Sequence, residues 1–454
     1  MSEFNEKMAV LLKEASGRIG VSIHGIGTSF HYAWQEDELF STASTMKLMV
    51  LGALLEKCQS GEEDLGRFIT YRAEERVGGS GILCDLTPGL SLTVRDTAVL
   101  MIILSDNTAT NICIDLSDGV DAVNEHIFRL GVKGCSINRK LISEGSDERN
   151  LSDTSPRGFV DYLTAVRTGK ALNEGYTKIF FDILRLQRYK DMFGRYLPLE
   201  DYFEEEDDGP YPILMNKTGF MLGVRTDAGI LMLPDGREYA YAVMINDSPD
   251  PSYALTNESA VLIAKIGKLF YENAAGEIRH TRMEDLPELL RIYRTAREFM
   301  AASGNPMQWG DIENGNPQPE RIRQDILDGN SYVYVTEGGH IAAVFYYAEG
   351  EKAEPTYAKI EGKWIGPDRY GVVHRIASDG TVKGAGRVCL RWAMKRSAHL
   401  RIDTHENNRP MRHVLEQLGF AFCGTIWLTN GDPRMAFEYL KGFDNTGKGD
   451  QTHE

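Results

Sequence analysis

Three short polar motifs constrain this chain more than any other feature: Ser44-Thr45-Met46-Lys47, Ser105-Asp106-Asn107 and Lys217-Thr218-Gly219, in that order. Ser-x-x-Lys alone recurs by chance in a long sequence, but the ordered set is specific. If Ser44 opens a helix, Lys47 lies one turn on, on the same face, and its amine can reach the serine hydroxyl. A serine hydroxyl is a poor nucleophile until a base takes its proton, and a lysine of lowered pKa can be that base. The backbone N–H groups of a helix start suit a developing oxyanion. A fold holding these motifs must bring three distant segments to one point.

The surroundings of the motifs, Phe40–Lys47 (FSTASTMK), Leu104–Asn111 (LSDNTATN) and Asn216–Gly223 (NKTGFMLG), resemble the penicillin-recognising serine hydrolases. The class A β-lactamase branch is the nearest, over about residues 18–273. The resemblance implies an α/β sandwich with a helical subdomain, Ser44 as the acylated nucleophile and Lys47 as its base or base relay. It implies that Ser105 passes a proton to the leaving nitrogen and Asn107 holds the substrate amide. Lys217 and Thr218 would bind the substrate carboxylate, and the N–H groups of Ser44 and Phe220 would form the oxyanion hole. The family's deacylation glutamate sits in a Glu-x-x-Leu-Asn pattern, absent from Asn138–Pro156 (NRKLISEGSDERNLSDTSP). Glu144 is the nearest candidate by position, with Glu148 and Asp147 next. β-Lactam or small amide hydrolysis leads. A peptidase or esterase using the same serine stays open, as does a non-catalytic sensor.

Strand patterns at Ile19–His24, Ser29–Ala33, Ile213–Lys217, Ala228–Leu233 and Tyr239–Ile245 flank a helix-rich stretch. A helix over Ala254–Tyr271 closes the first unit, and Ala274-Ala275-Gly276 reads as a linker. Glu277–Thr281 then opens a strand and Glu284–Ala301 a helix. Domains of 1–274 and 276–441 follow, the first α+β and the second α/β, with 442–454 a flexible tail.

From Ile278 the chain resembles the GNAT acetyltransferases. The resemblance rests on Arg279–Arg294 (RHTRMEDLPELLRIYR) and on Tyr370–Trp392 (YGVVHRIASDGTVKGAGRVCLRW), followed by a strand at His399–Thr404 and a helix ending Gln417-Leu418-Gly419-Phe420. Gly384 and Gly386 let the backbone approach a pyrophosphate, and the next helix points its N–H groups at the anion. The resemblance implies acetyl-CoA as co-substrate and a primary amine as acceptor. Ile376, Lys383, Gly384, Ala385, Gly386, Arg387 and Asn407 would line the cofactor site. Thr381 and Leu415 stand where the family often has Arg or Gln and a tyrosine acid. His374 and His405 are alternative bases, and Met307-Gln308-Trp309-Gly310 a candidate acceptor wall.

Charge sharpens the partner class. The net −16 comes from 66 acidic and 50 basic residues; residues 1–275 carry −14 of it and residues 276–454 carry −2. Nucleic acid and anionic membranes are excluded as general partners, leaving small molecules. Glu200–Asp208 (EDYFEEEDD) reads as a solvated loop that weakens attraction of anionic substrates. Met1–Gly17 lacks a basic start and a clean apolar stretch, which with an intracellular acyl donor predicts a cytoplasmic enzyme. Six cysteines without paired spacing predict free thiols. With no HExxH pair and no Cys/His cluster, ligand spacing predicts no metal site.

Overall fold

A computed structural model describes residues 3–141, 151–199, 211–302, 309–336, 339–382 and 384–442. The chain forms two compact units, divided in sequence between Glu272 and Asn273.

The first unit runs α1 (Glu3–Leu12), β1 (Arg18–Gly25), β2 (His31–Trp34), β3 (Phe40–Ser41), a 3₁₀ turn at Ala43–Met46, α2 (Lys47–Ser60), β4 (Phe68–Thr70), β5 (Ser91–Thr93), α3 (Val94–Ile103), α4 (Asn107–Leu116) and α5 (Val120–Arg129). It continues with β6 (Cys135–Ile137), β7 (Ser152–Thr154), α6 (Pro156–Arg167), α7 (Glu174–Arg185), β8 (Ile213–Met221), β9 (Val224–Met232), β10 (Glu238–Asn246) and α8 (Glu258–Ala275). Five antiparallel strands form one sheet in the order β2-β1-β10-β9-β8, which leaves β8 on an edge.

Helix α2 is the hub. Every residue from Lys47 to Leu55 is buried, because the apolar run Leu48–Leu55 is enclosed by α3–α7 and by one face of the sheet. A helix apolar all round belongs inside a core, and this one is far too short for a bilayer. Among the described residues no helix is long and apolar enough to cross a membrane. On the other sheet face Phe270 of α8 packs edge-on against Tyr239, 5.1 Å between centroids, and Phe4 of α1 against Tyr32 at 5.4 Å.

The second unit runs β11 (Glu277–His280), α9 (Leu286–Ala302), α10 (Pro319–Leu327), β12 (Ser331–Val335), β13 (Ile341–Glu351), β14 (Ile360–Gly362), β15 (Arg369–Ser378), α11 (Ala385–Arg396), β16 (His399–Thr404), α12 (Arg409–Gln417), β17 (Ala421–Trp427) and β18 (Pro433–Leu440). Its eight strands order as β11-β12-β13-β15-β16-β18-β17-β14. All neighbours are antiparallel except β15 and β16, which pair in parallel only at Gly371↔Leu400 and Val372↔Arg401.

The structure differs from the sequence reading at several edges. The Lys-Thr-Gly motif lies inside β8, which runs to Met221, because the hairpin with β9 continues to a two-residue turn. Helix α8 starts at Glu258 and leaves Leu255 64% exposed outside it. It also absorbs Ala274 and Ala275, so only Gly276, at φ +70°, acts as a turn. The acidic run 200–208, most of the tail, and Met307 and Gln308 lie outside the described residues. All six cysteines are free, and five are buried.

Gly267, within α8, faces the backbone of Phe193, and a Cβ there would stand 2.1 Å from the Phe193 carbonyl oxygen. Gly→Ala inside a helix ordinarily stabilises by roughly 1 kcal/mol. Gly267→Ala is expected to lower stability instead, by about 1–3 kcal/mol, as an overpacked contact does. Urea unfolding at unchanged m-value measures it, and a rise in midpoint refutes the contact.

Candidate active site

Ser44 is half-buried in the 3₁₀ turn that precedes α2, not in the α-helix itself. Ala43, just before it, is held in the left-handed region at φ +46°, and Ser105 likewise at φ +55°. Such backbone costs about 1–3 kcal/mol per residue and persists only where the surroundings enforce it. Here the enforcement is visible. Thr226 of β9 donates to the Thr42 carbonyl at 2.8 Å, and Thr45 donates to the same oxygen at 2.6 Å. Gly219 of β8 presses on the turn from the other side. A Cβ at Gly219 would lie 2.5 Å from the Thr42 oxygen and 3.1 Å from the Ala43 Cβ, so the third motif ends in glycine for want of space. Phe220 follows on the edge of β8 that no described strand covers.

The Lys47 ammonium is fully buried and spends its three N–H groups on the Ser105 carbonyl at 2.6 Å, the Ser105 hydroxyl at 3.1 Å and the Asn107 side-chain oxygen at 3.0 Å. The first motif thus meets the second through Lys47, whose amine is directed at Ser105 and Asn107, where the sequence predicts Ser44. Burial, then the nearby Lys217 charge, push Lys47 well below its usual pKa, against an opposing pull from Asp106. Once neutral, Lys47 retains two donors and gains a lone pair. The Ser105 hydroxyl can then turn to donate to that lone pair, so this contact can carry a proton either way.

Asp106, the middle residue of its motif, has a structural role that the motif pattern does not reveal. Its carboxylate caps α4 at the Ala109 N–H (2.8 Å) and accepts from the N–H groups of Ile82 and Leu83, both at 2.7 Å. Asn107 holds the same loop, its backbone N–H to the Ser80 carbonyl (2.9 Å) and its amide to the Gly78 carbonyl (3.0 Å). The signal available for Asp106 was its place directly before a helical pattern, where Asp is a strong cap.

Lys217 is also fully buried, its amine donating to the Thr218 carbonyl at 2.7 Å. Burial lowers it to about 7, against the pull of Asp227. Asp227 stands on β9 opposite Thr218 and accepts from Asn216 (2.9 Å), Tyr241 (2.8 Å) and the Phe193 N–H (3.0 Å). Burial nevertheless raises Asp227 to about 7. Among the described residues the Thr218 hydroxyl is buried without a hydrogen-bond partner. A buried orphan hydroxyl beside a titratable amine fits a site built for a carboxylate.

Glu144, Asp147 and Glu148 lie outside the described residues. The described residues on either side of them bond next to the first two motifs. Before them, Leu141 exchanges two hydrogen bonds with Asn111 of α4, at 2.7 and 2.9 Å. After them, β7 pairs with β3, and Thr42 donates to the Ser152 carbonyl at 3.3 Å.

In the second unit, Gly384 caps α11 at φ +90°, and no acidic residue sits in that helix's first turn. Ile376 of β15 faces Gly386, where a Cβ would lie 3.7 Å from the Ile376 Cδ1. Ala385 is buried, and Arg387 hydrogen-bonds Gln417 of α12. Asn407 is exposed on a separate turn, between β16 and α12, and Lys383 lies outside the described residues. Leu415 is a core residue. His374 lies between two carboxylates, 3.0 Å from Glu354 and 3.5 Å from Asp403. The ligand spacing predicts no metal site, yet the β1–β2 hairpin brings His24, His31 and Glu36 together, a cluster that sequence separation hides.

A five-stranded sheet, a buried helix and three converging Ser/Lys motifs define a serine hydrolase domain of the β-lactamase and penicillin-binding-protein kind. Residues 3–274 match the family model described as "Beta-lactamase enzyme family". The chain is 26% identical over 282 residues to the β-lactamase ROB-1 of Haemophilus influenzae, covering 61% of this chain and 84% of that one. It is 26% identical over 260 residues to a β-lactamase of Rhodobacter capsulatus, covering 56% and 84%. The crystal structure of a β-lactamase from Sphaerobacter thermophilus superposes with a TM-score of 0.52 at 28% identity, covering 60% of this chain and 97% of that chain. The structure of PBP-A shares the fold with a TM-score of 0.52 at 23% identity, covering 60% and 96%. The chain therefore belongs to the β-lactamase enzyme family, its first 60% forming a class A-like domain.

Because Lys217 titrates near 7, its cation is present below that pH and lost above it. The acylation rate with a carboxylate-bearing penicillin, divided by the same rate in Lys217→Arg, is expected to fall about tenfold per pH unit once the pH clears the pKa. Stopped-flow rates from pH 5.5 to 9 measure the ratio, and a flat ratio removes Lys217 from carboxylate binding.

Proposed function

We propose that the first unit acylates itself on Ser44 with a β-lactam or another small amide and then hydrolyses the ester. The observation that carries this reading is the buried Lys47 amine, lowered in pKa and shared between Ser105 and Asn107 one turn from Ser44. Neutral Lys47, as base or as base relay through the Ser105 hydroxyl it contacts, takes up the Ser44 proton as the oxygen attacks the carbonyl carbon. The N–H groups of Ser44 and Phe220 take the oxyanion, and the proton passes through Ser105 to the leaving nitrogen as the C–N bond breaks. Water then cleaves the acyl ester, with Glu144 as the assigned base and Glu148 and Asp147 as its alternatives. A mutant of PBP-A, which shares this fold, forms an acyl-enzyme complex with penicillin G, and that supports an acyl-enzyme here.

The second unit reads as an acetyl-CoA-dependent N-acetyltransferase, making the chain a bifunctional, cytoplasmic fusion enzyme. Two features support this. Helix α11 presents an N-terminus without a carboxylate, behind Gly384. Past Val372 and Arg401, β15 and β16 have no pairing with each other, so β15 offers backbone groups to an extended amide-bearing ligand. Acetyl-CoA would supply the activated acetyl group. Ile376, Lys383, Gly384, Ala385, Gly386, Arg387 and Asn407 are assigned to its binding, and His374 to deprotonating the amine.

Intact-mass analysis with a fluorescent penicillin is expected to show one adduct, absent in Ser44→Ala and formed at least about 100-fold more slowly in Lys47→Ala. No adduct on the wild type refutes the reading. For the second unit, calorimetry is expected to show one acetyl-CoA per chain, with affinity reduced at least about tenfold in Gly386→Asp, which places a carboxylate at the helix start. Unchanged affinity moves the site elsewhere.

A further inference from the structure

The hairpin of β1 and β2 carries a second constellation, at the opposite edge of the sheet from the serine. His24 and His31 are directly opposed across the hairpin, and Glu36 follows β2. Three strand spacings of about 4.8 Å separate β1 from β8, and four separate β2 from it, so His24 and His31 stand roughly 14 and 19 Å from the Lys-Thr-Gly strand.

The donor geometry is compact. The His31 Nε2 lies 3.0 and 3.1 Å from the two Glu36 oxygens, and the His24 Nε2 lies 3.5 Å from Glu36 Oε2. One ligand atom from each of the three residues falls within 4.8 Å of the others. A tetrahedral ion with bonds of about 2.0–2.1 Å needs its ligand atoms about 3.3 Å apart. The histidine–carboxylate separations bracket that figure.

The surroundings hold these groups as ligands require. Glu36 is only 6% exposed, yet Ser22 donates to its Oε2 at 2.6 Å, and Arg157 pairs with its Oε1. Those contacts fix the carboxylate's orientation, as hydrogen bonds to a metal's ligands do. The rings stand edge to face with centroids 4.1 Å apart, an arrangement that two imidazolium cations would oppose. The charges nearby are Asp161, which acts on His24, Asp37, which pairs with Arg157 at 2.6 Å, and Arg157 itself. With Glu36 these leave the cluster two charges negative, matched to a dication. The His31 side chain is 43% exposed, which gives an entry path and a place for a solvent ligand.

We propose that His24, His31 and Glu36 form a binding site for one divalent transition-metal ion of the zinc type, with water as fourth ligand. Through Glu36 and Arg157 the ion would tie the hairpin to the first turn of α6. The site is independent of the serine chemistry.

The full chain, freed of metal by chelator dialysis, is titrated with zinc chloride by calorimetry and with Co²⁺ in the visible spectrum. The expected result is one Zn²⁺ per chain and the intense absorption of tetrahedral Co²⁺. Both are lost, with affinity down at least about 100-fold, in His24→Gln and in His31→Gln. His31 is exposed, so its variant is expected to fold as the wild type does, checked by the metal-free melting temperature. No stoichiometric binding by the wild type, or equal binding by the His31→Gln protein, overturns the proposal.

Discussion

The buried amine of Lys47 is the interaction around which the first unit is arranged. An ammonium out of water is costly unless each N–H finds an acceptor, and Lys47 finds three, all from the Ser-Asp-Asn segment. That requirement brings α2 to the start of α4, forces Ser105 into a left-handed conformation, and makes Asp106 cap the helix and hold the loop behind it. The same desolvation that makes the site expensive lowers the lysine's pKa, so the cost and the chemical use have one origin.

A second buried amine completes the arrangement. Lys217 repels Lys47 and is itself answered by Asp227, whose partners come from β8, β10 and the segment around Phe193. The two lysines and one aspartate share a region where neither charge state is comfortable. Such groups respond strongly to a ligand's charge, and a substrate carboxylate favours the protonated form of Lys217. The packing at Gly219 sets the distance at which this happens, because β8 touches the turn before Ser44 with no room for a side chain.

Much of the site was legible in order and type. Ser44, Lys47, Ser105, Asn107, Lys217 and Thr218 fall in three motifs, and the fold joins Lys47 to the second of them and packs the third against the serine's turn. Sequence pattern does not resolve geometry that depends on a turn's pitch. Ser44 occupies a 3₁₀ turn, and the α-helix starts at Lys47, so the amine's partners lie on another segment. Asp227, Thr226 and the Gly78–Leu83 loop carried no motif, since their roles come from strands and loops paired across long separations. In the second unit, Leu415 reads as core, while Asn407 sits on a different turn from Gly384.

The sequence by itself determined the chemistry on offer: which hydroxyl, which amines and in what order, and an apolar run, Leu48–Leu55, too short for anything but a core helix. It also determined the glycines at points of close approach, because those are local demands of backbone and volume. Only the tertiary structure decided that Lys47 and Lys217 lie in one desolvated region, and so titrate far from their usual range. It alone placed His24 and His31 across a hairpin, with Glu36 between their nitrogens. Both outcomes depend on burial and on strand register, quantities that exist only once distant segments have packed.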